Sequence, residues 1–151
     1  MAKKTLFRLQ FESDYRIVGL FCREPAYRLC WLINNQFGIN FKMVHDFTPN
    51  PDKGRAPDSH LVFLHKDNVL CQEYYIISNR GSNGSLIFAS PPNIDFLMLV
   101  KADDSRFDGR DLLKGLRLVP EMVAAYMLDD LLGRKKEEFL YDFEEFIARK
   151  P

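Results

Sequence analysis

Cysteine is scarce in this chain: Cys22, Cys30 and Cys71 are the only three, and no two of them stand in a Cys-x-x-Cys pair. An odd number of thiols at such spacing argues against a disulfide framework and against a zinc knuckle. Net charge is missing too. Lys+Arg and Asp+Glu each total 21, so no global field draws the protein to nucleic acid or anionic lipid. The same balance leaves little self-repulsion between copies, which leaves room for homo-oligomers. No run approaches the roughly 18 apolar residues of a transmembrane helix. The basic start, Met1 to Lys4, is followed by no apolar signal core, because Arg8, Gln10 and Glu12 interrupt it at once. A cytoplasmic protein is expected. A recognisable catalytic or ligand-binding motif is also lacking, so function has to be sought in fold and surfaces.

What is present suits one domain. The 151 residues are 46% hydrophobic and 28% charged, enough to bury a core without metals or disulfides. Thirteen phenylalanines and six tyrosines predict a core built on aromatic packing. Residues 25–38 have the clearest ends. Pro25 suits the first helical position, and Gly38 suits a left-handed C-terminal cap, with a dense apolar run and the only tryptophan between them. On a helical wheel Ala26, Leu29, Cys30, Ile33 and Phe37 form the core-facing stripe, while Tyr27 and Trp31 lie outside it. Those two aromatics need a second surface, provided by the Phe-rich C-terminal helix or by another subunit.

Strands are predicted over 5–12, 15–22, 39–44, 61–65, 69–78, 85–88, 94–100 and 121–128, from alternating or continuously apolar runs broken by turn residues. Three prolines and a glycine make 48–58 an irregular loop. Asp108 is a good N-cap for a helix stopped by Pro120. Residues 129–150 read as an amphipathic helix with Phe139, Leu140, Phe143, Phe146 and Ile147 on one stripe and Gly133 loosening its start. The order β-β-α-β-β-β-β-β-α-β-α predicts an α+β fold: a mostly antiparallel sheet with helices packed on one face, with a ferredoxin-like core plus extra strands as one version.

The run Tyr27-Arg28-Leu29-Cys30-Trp31-Leu32-Ile33-Asn34 resembles the "YRLCW" helix of the IPExxxVDY family of bacterial proteins. The preceding strand pair, the strand end Ile77-Ser78-Asn79 and an apolar strand after the signature are similar as well, covering residues 1 to about 130. At 88–96 the chain departs from the naming motif. Phe88-Ala89-Ser90 stands where Ile-Pro-Glu is expected, and Ile94-Asp95-Phe96 where Val-Asp-Tyr is. The resemblance implies no activity, and the missing motif Glu removes any reason to give that position catalytic work.

Candidate chemistry is thin. His45, His60 and His65 lie near the proline loop, but a spacing of five puts His60 and His65 on opposite faces of a strand, and no glutamate completes a metal set. No metal and no cofactor is expected. Cys22, close to a helix start and to Arg23, is the best-placed thiol, although the end of a buried strand explains it as well. Asn79 to Gly84 looks like a phosphate cradle without the lysine of a P-loop, and a hairpin turn accounts for it. Asp95 in an apolar strand needs a partner, for which Arg28 is available. No catalytic residue is assigned. The candidate binding residues are Tyr27, Arg28, Trp31, Asp95 and Phe143. The leading expectation is a non-enzymatic interaction module, a homodimer or adaptor, with Trp31 and Phe143 at its contacts. The alternative is a small-molecule-binding protein or enzyme with a pocket near Asp95, Arg28 and the 48–58 loop. RNA binding on a sheet face carrying Arg8, Lys42, Arg80, Tyr74 and Tyr75 comes third.

Overall fold

A computed structural model describes residues 15–49, 56–102 and 107–149. The strand expected over 5–12 lies outside the described residues, as does the centre of the 48–58 loop. The elements are β1 (Tyr15–Cys22), α1 (Ala26–Phe37), β2 (Lys42–Met43), β3 (Val62–Asp67), β4 (Gln72–Ser78), β5 (Phe96–Lys101), α2 (Gly109–Arg117), β6 (Met122–Met127), α3 (Asp129–Leu132) and α4 (Arg134–Ala148).

The strands form one antiparallel sheet in the order β2-β3-β4-β5-β1-β6. Leaving out β2 and β3, the chain runs β1-α1-β4-β5-α2-β6, and each helix carries it over one intervening strand. That is a ferredoxin-like core with two strands added at one edge, so the α+β class and the antiparallel sheet are as expected.

Helix placement differs from expectation. α1 and α2 share one face, over Val18, Leu20, Cys22, Ile76, Phe96, Met98 and Val100. α4 covers the other, over Tyr15, Ile17, Tyr75, Ile77, Leu97 and Leu99. The helices therefore lie on both faces, because β1, β4 and β5 are apolar on both and each apolar face has to be shielded from water. The α4 face is the aromatic one. Phe143 lies 4.9 Å from Tyr75 and 5.4 Å from Phe47, ring centre to ring centre and nearly edge-on, within the preferred 4.5–7 Å spacing.

Local signals hold at most termini. Gly38 is left-handed (φ 66°, ψ 38°) and its N–H donates to Asn34 O. Pro25 occupies the cap, one residue before the first helical position expected for it, and its carbonyl accepts from Leu29 N at 3.0 Å. The Asp108 side chain accepts from Arg110 N and Asp111 N. Residues 122–127 are the strand expected after Pro120. Gly133 (φ 57°, ψ −133°) breaks the C-terminal segment into α3 and α4 rather than loosening one helix, because that backbone region is open to glycine alone. The expected strand at 85–88 reduces to one bridge, Arg80 to Leu86, and 39–44 to two residues. Among the described residues no helix is long and apolar enough to cross a membrane.

Candidate functional site

Three of the five expected binding residues come together on the outward face of α1. Tyr27 is 70% exposed and Trp31 53% exposed. Their spacing of four puts them one turn apart, and the Arg28 guanidinium lies over the Trp31 ring at 5.0 Å. The opposite side of α1, Leu29, Cys30 and Ile33, is buried against the sheet. α4 does not cover the aromatic pair, since it lies across the sheet from α1.

Asp95 and Phe143 are elsewhere. Phe143 is fully buried on the sheet-facing side of α4, so it cannot serve as a contact residue in this conformation. Asp95 stands just before β5, where its Oδ2 accepts the Cys22 N–H at 3.0 Å. Burial raises its carboxyl above the ordinary value, opposed by the Cys22 N–H and by the charges of Arg23 and Arg80. Arg28 is not among those partners, and the expected Asp95–Arg28 pocket is not formed. Asp95 is a strand-entry residue that ties β5 to the end of β1.

The remaining candidates resolve into structure. The turn imagined as a phosphate cradle does hold an anion, and the anion is Asp58. Its carboxylate accepts from Ser59 N, Ser82 Oγ, Asn83 N and Ser85 N at 2.9–3.0 Å. Burial alone would raise this carboxyl, but the four donors outweigh it and hold it well below the usual range. Beside it His60 is buried and its Nδ1 bonds Ser78 O at 2.8 Å. Asn79 donates to Phe88 O and Ile94 O and accepts from Phe88 N, each at 2.8 Å. Cys22 and Cys30 are buried, and burial pushes both thiols up, Cys30 to about 12, which keeps them protonated and poorly nucleophilic. Among the described residues no three His, Cys, Asp or Glu side chains are placed to hold a metal. Tyr74 faces α1 and Tyr75 faces α4, so the two do not share an open stacking platform.

A second feature, which sequence reasoning missed, opens at the C-terminal end of α1. A cleft of about 300 Å³ lies between α1, the start of α2 and the β3–β4 hairpin. Phe37 forms one wall, lying so close to Gly115 of α2 that a Cβ there would overlap its ring. His65 and Tyr74, directly opposite in the β3–β4 register, form another. Asn40 N donates to His65 Nδ1 at 3.3 Å, which leaves the imidazole proton on Nε2. The hairpin was legible, but a turn at 66–68 would have set His65 opposite Val69; the strand runs on to Asp67, the turn falls at 68–71, and that register brings His65 opposite Tyr74. Their meeting with Asp108 and Asp111, which read as capping residues, depends on how α2 docks.

Comparison with protein families, with curated proteins and with solved structures returns no match for this chain.

Proposed function

We propose that this protein is a non-enzymatic interaction module that self-associates through the outward face of α1, two copies meeting about a twofold axis. The observation that carries the reading is the exposed Trp31 with Arg28 over its ring and Tyr27 one turn away. Such a face is self-complementary. It presents a cation and aromatic faces together, so a twofold lets the Arg28 of each copy meet the aromatic pair of the other. Trp, Tyr and Arg are also the residues on which binding energy concentrates. Zero net charge sets no long-range repulsion against the encounter. The helix that resembles the YRLCW signature is the one that bears this face. A cytoplasmic location accords with this reading.

Sedimentation equilibrium tests it. The expected mass is twice 17.7 kDa, with Trp31→Glu and Arg28→Glu returning the protein to monomer at an unchanged melting temperature. A monomeric mass up to millimolar protein, or a dimer indifferent to both substitutions, overturns the proposal.

A further inference from the structure

We propose that Arg117 guards the outer edge of β6, and that what it keeps off is the same edge of a second copy of this chain. The inference uses none of the residues of the proposed self-association face. The sheet ends in β2 on one side and β6 on the other, and among the described residues neither has a second neighbour. An edge strand presents unpaired N–H and C=O groups that template pairing with another chain, so proteins blunt it with short length, charge or proline. β2 is blunted in this way, being two residues long and beginning at Lys42. β6 is not. It reads Met-Val-Ala-Ala-Tyr-Met, six residues without a charge, a proline or a glycine, a composition that is hazardous on an edge.

The register shows which groups are at risk. Leu128 N donates to Ile17 O at 2.8 Å, and the pairing runs on with Tyr126 opposite Gly19 and Ala124 opposite Phe21. Alternate residues of an antiparallel ladder turn their polar groups toward the neighbour, so Ala125 and Met127 turn theirs outward. A second β6 arriving antiparallel, about a twofold axis at Ala125, would exchange N–H and C=O bonds with that residue. The guard stands at this point. Arg117, the last residue of α2, donates its Nε–H to Ala125 O at 3.0 Å. It takes the acceptor that the incoming strand needs. Symmetry doubles the effect, because the axis brings the Arg117 of each copy to one place and sets two like charges together. β6 has no charge of its own for this task, and the preceding helix supplies one.

The test is sedimentation with residue-resolved amide hydrogen exchange on the full-length chain, in a Trp31→Glu background that disables the α1 face. Arg117→Ala is expected to dimerise at submillimolar protein, and exchange at the Ala125 and Met127 amides slows by roughly tenfold or more as they gain partners. Arg117→Met keeps the side-chain length without donor or charge. It is expected to behave alike, which covers a failure of the alanine variant to fold. Arg117→Lys retains a cation at the edge and stays monomeric. Val123→Lys, at a position 62% exposed on the same strand, returns Arg117→Ala to monomer. A monomeric mass with unchanged exchange at both amides in the alanine and methionine variants overturns the proposal. So does association that Val123→Lys leaves intact, or slowed exchange confined to residues outside β6. The exchange readout is local to β6, so failure here is distinguishable from failure of the self-association reading.

Discussion

Truncating Phe143 separates the buried aromatic stripe from the exposed one. Phe143 is fully buried and its ring neighbours Phe47, Tyr75, Phe139 and Phe146 at 4.9–5.8 Å. Phe→Ala in a packed core costs about 3–5 kcal/mol from lost transfer energy and the residual cavity. Edge-on aromatic pairs such as those with Tyr75 and Phe47 add about 0.5–1.5 kcal/mol beyond buried area. Since these terms overlap, Phe143→Ala is expected near the upper end, about 4–5 kcal/mol. That is a large part of the roughly 5–15 kcal/mol total of an ordinary domain. Urea denaturation reads it directly. With a slope of about 2 kcal/mol per molar, the midpoint falls by roughly 2 M. Trp31→Ala, at a half-exposed site, stays within about 0.5 kcal/mol in the monomer, so the pair should be measured at a protein concentration below dimerisation. A Phe143→Ala loss under about 1 kcal/mol, or a Trp31→Ala loss of several, would refute the placement of α4 over the sheet and of Trp31 outside the core.

Two further outcomes follow from the polar network behind β4. Asn79→Asp replaces an amide N–H₂ that donates to Phe88 O and Ile94 O by an oxygen facing two carbonyls. A loss of about 3 kcal/mol or more is expected by thermal or chemical melts, and a loss under 1 kcal/mol would mean that Asn79 does not hold the 79–95 segment. Stability should also fall in two stages on acidification, read as melting temperature against pH. Burial lowers the His60 value, so the unfolded chain takes up a proton that the native state resists. Stability is then lost as pH falls through about 6.5, and His60→Gln should remove this stage. The hydrogen-bonded Asp58 lies below its unfolded value, so its contribution is full above about pH 4 and fades as pH drops further. A flat profile between pH 7 and 5 that His60→Gln leaves unchanged contradicts the first stage.

Where a signal is local, the chain discloses it. The Pro25 and Gly38 ends of α1, the Asp108 cap and the pairing of β3 with β4 each depend on a few neighbouring residues, and each is present. The helical wheel likewise placed Tyr27 and Trp31 outside the core stripe, where they stand exposed. The side of the sheet taken by α4 is a different kind of question. An amphipathic stripe says that a helix has a buried side, and says nothing about which of two sheet faces receives it. A usable signal existed in the strands: Phe96 to Val100 is apolar at consecutive positions, and Tyr75 and Ile77 flank Ile76, so both faces required cover. Once α4 is assigned to the second face, Phe143 ceases to be a candidate contact and Trp31 loses the helix that was expected to shield it.

The absent strand at 85–88 and the cleft fail for a related reason, which is distance along the chain. Residues 85–88, Ser-Leu-Ile-Phe, are apolar enough after a turn to read as a short strand, yet Ser85 N bonds Asp58 Oδ2 and Phe88 N bonds Asn79 Oδ1. Two side chains from remote segments thus take backbone donors that a ladder would need, and no periodicity records that competition. The cleft draws its walls from α1, the hairpin, β5 and α2, and Asp67 and Asp108 look locally like turn and cap residues because they are that as well. Each serves the backbone through its Oδ1 and also lines the opening. A residue already explained by its local hydrogen bonds can therefore still contribute to a cleft, and recognising it requires the tertiary docking of α2 against α1 and the hairpin.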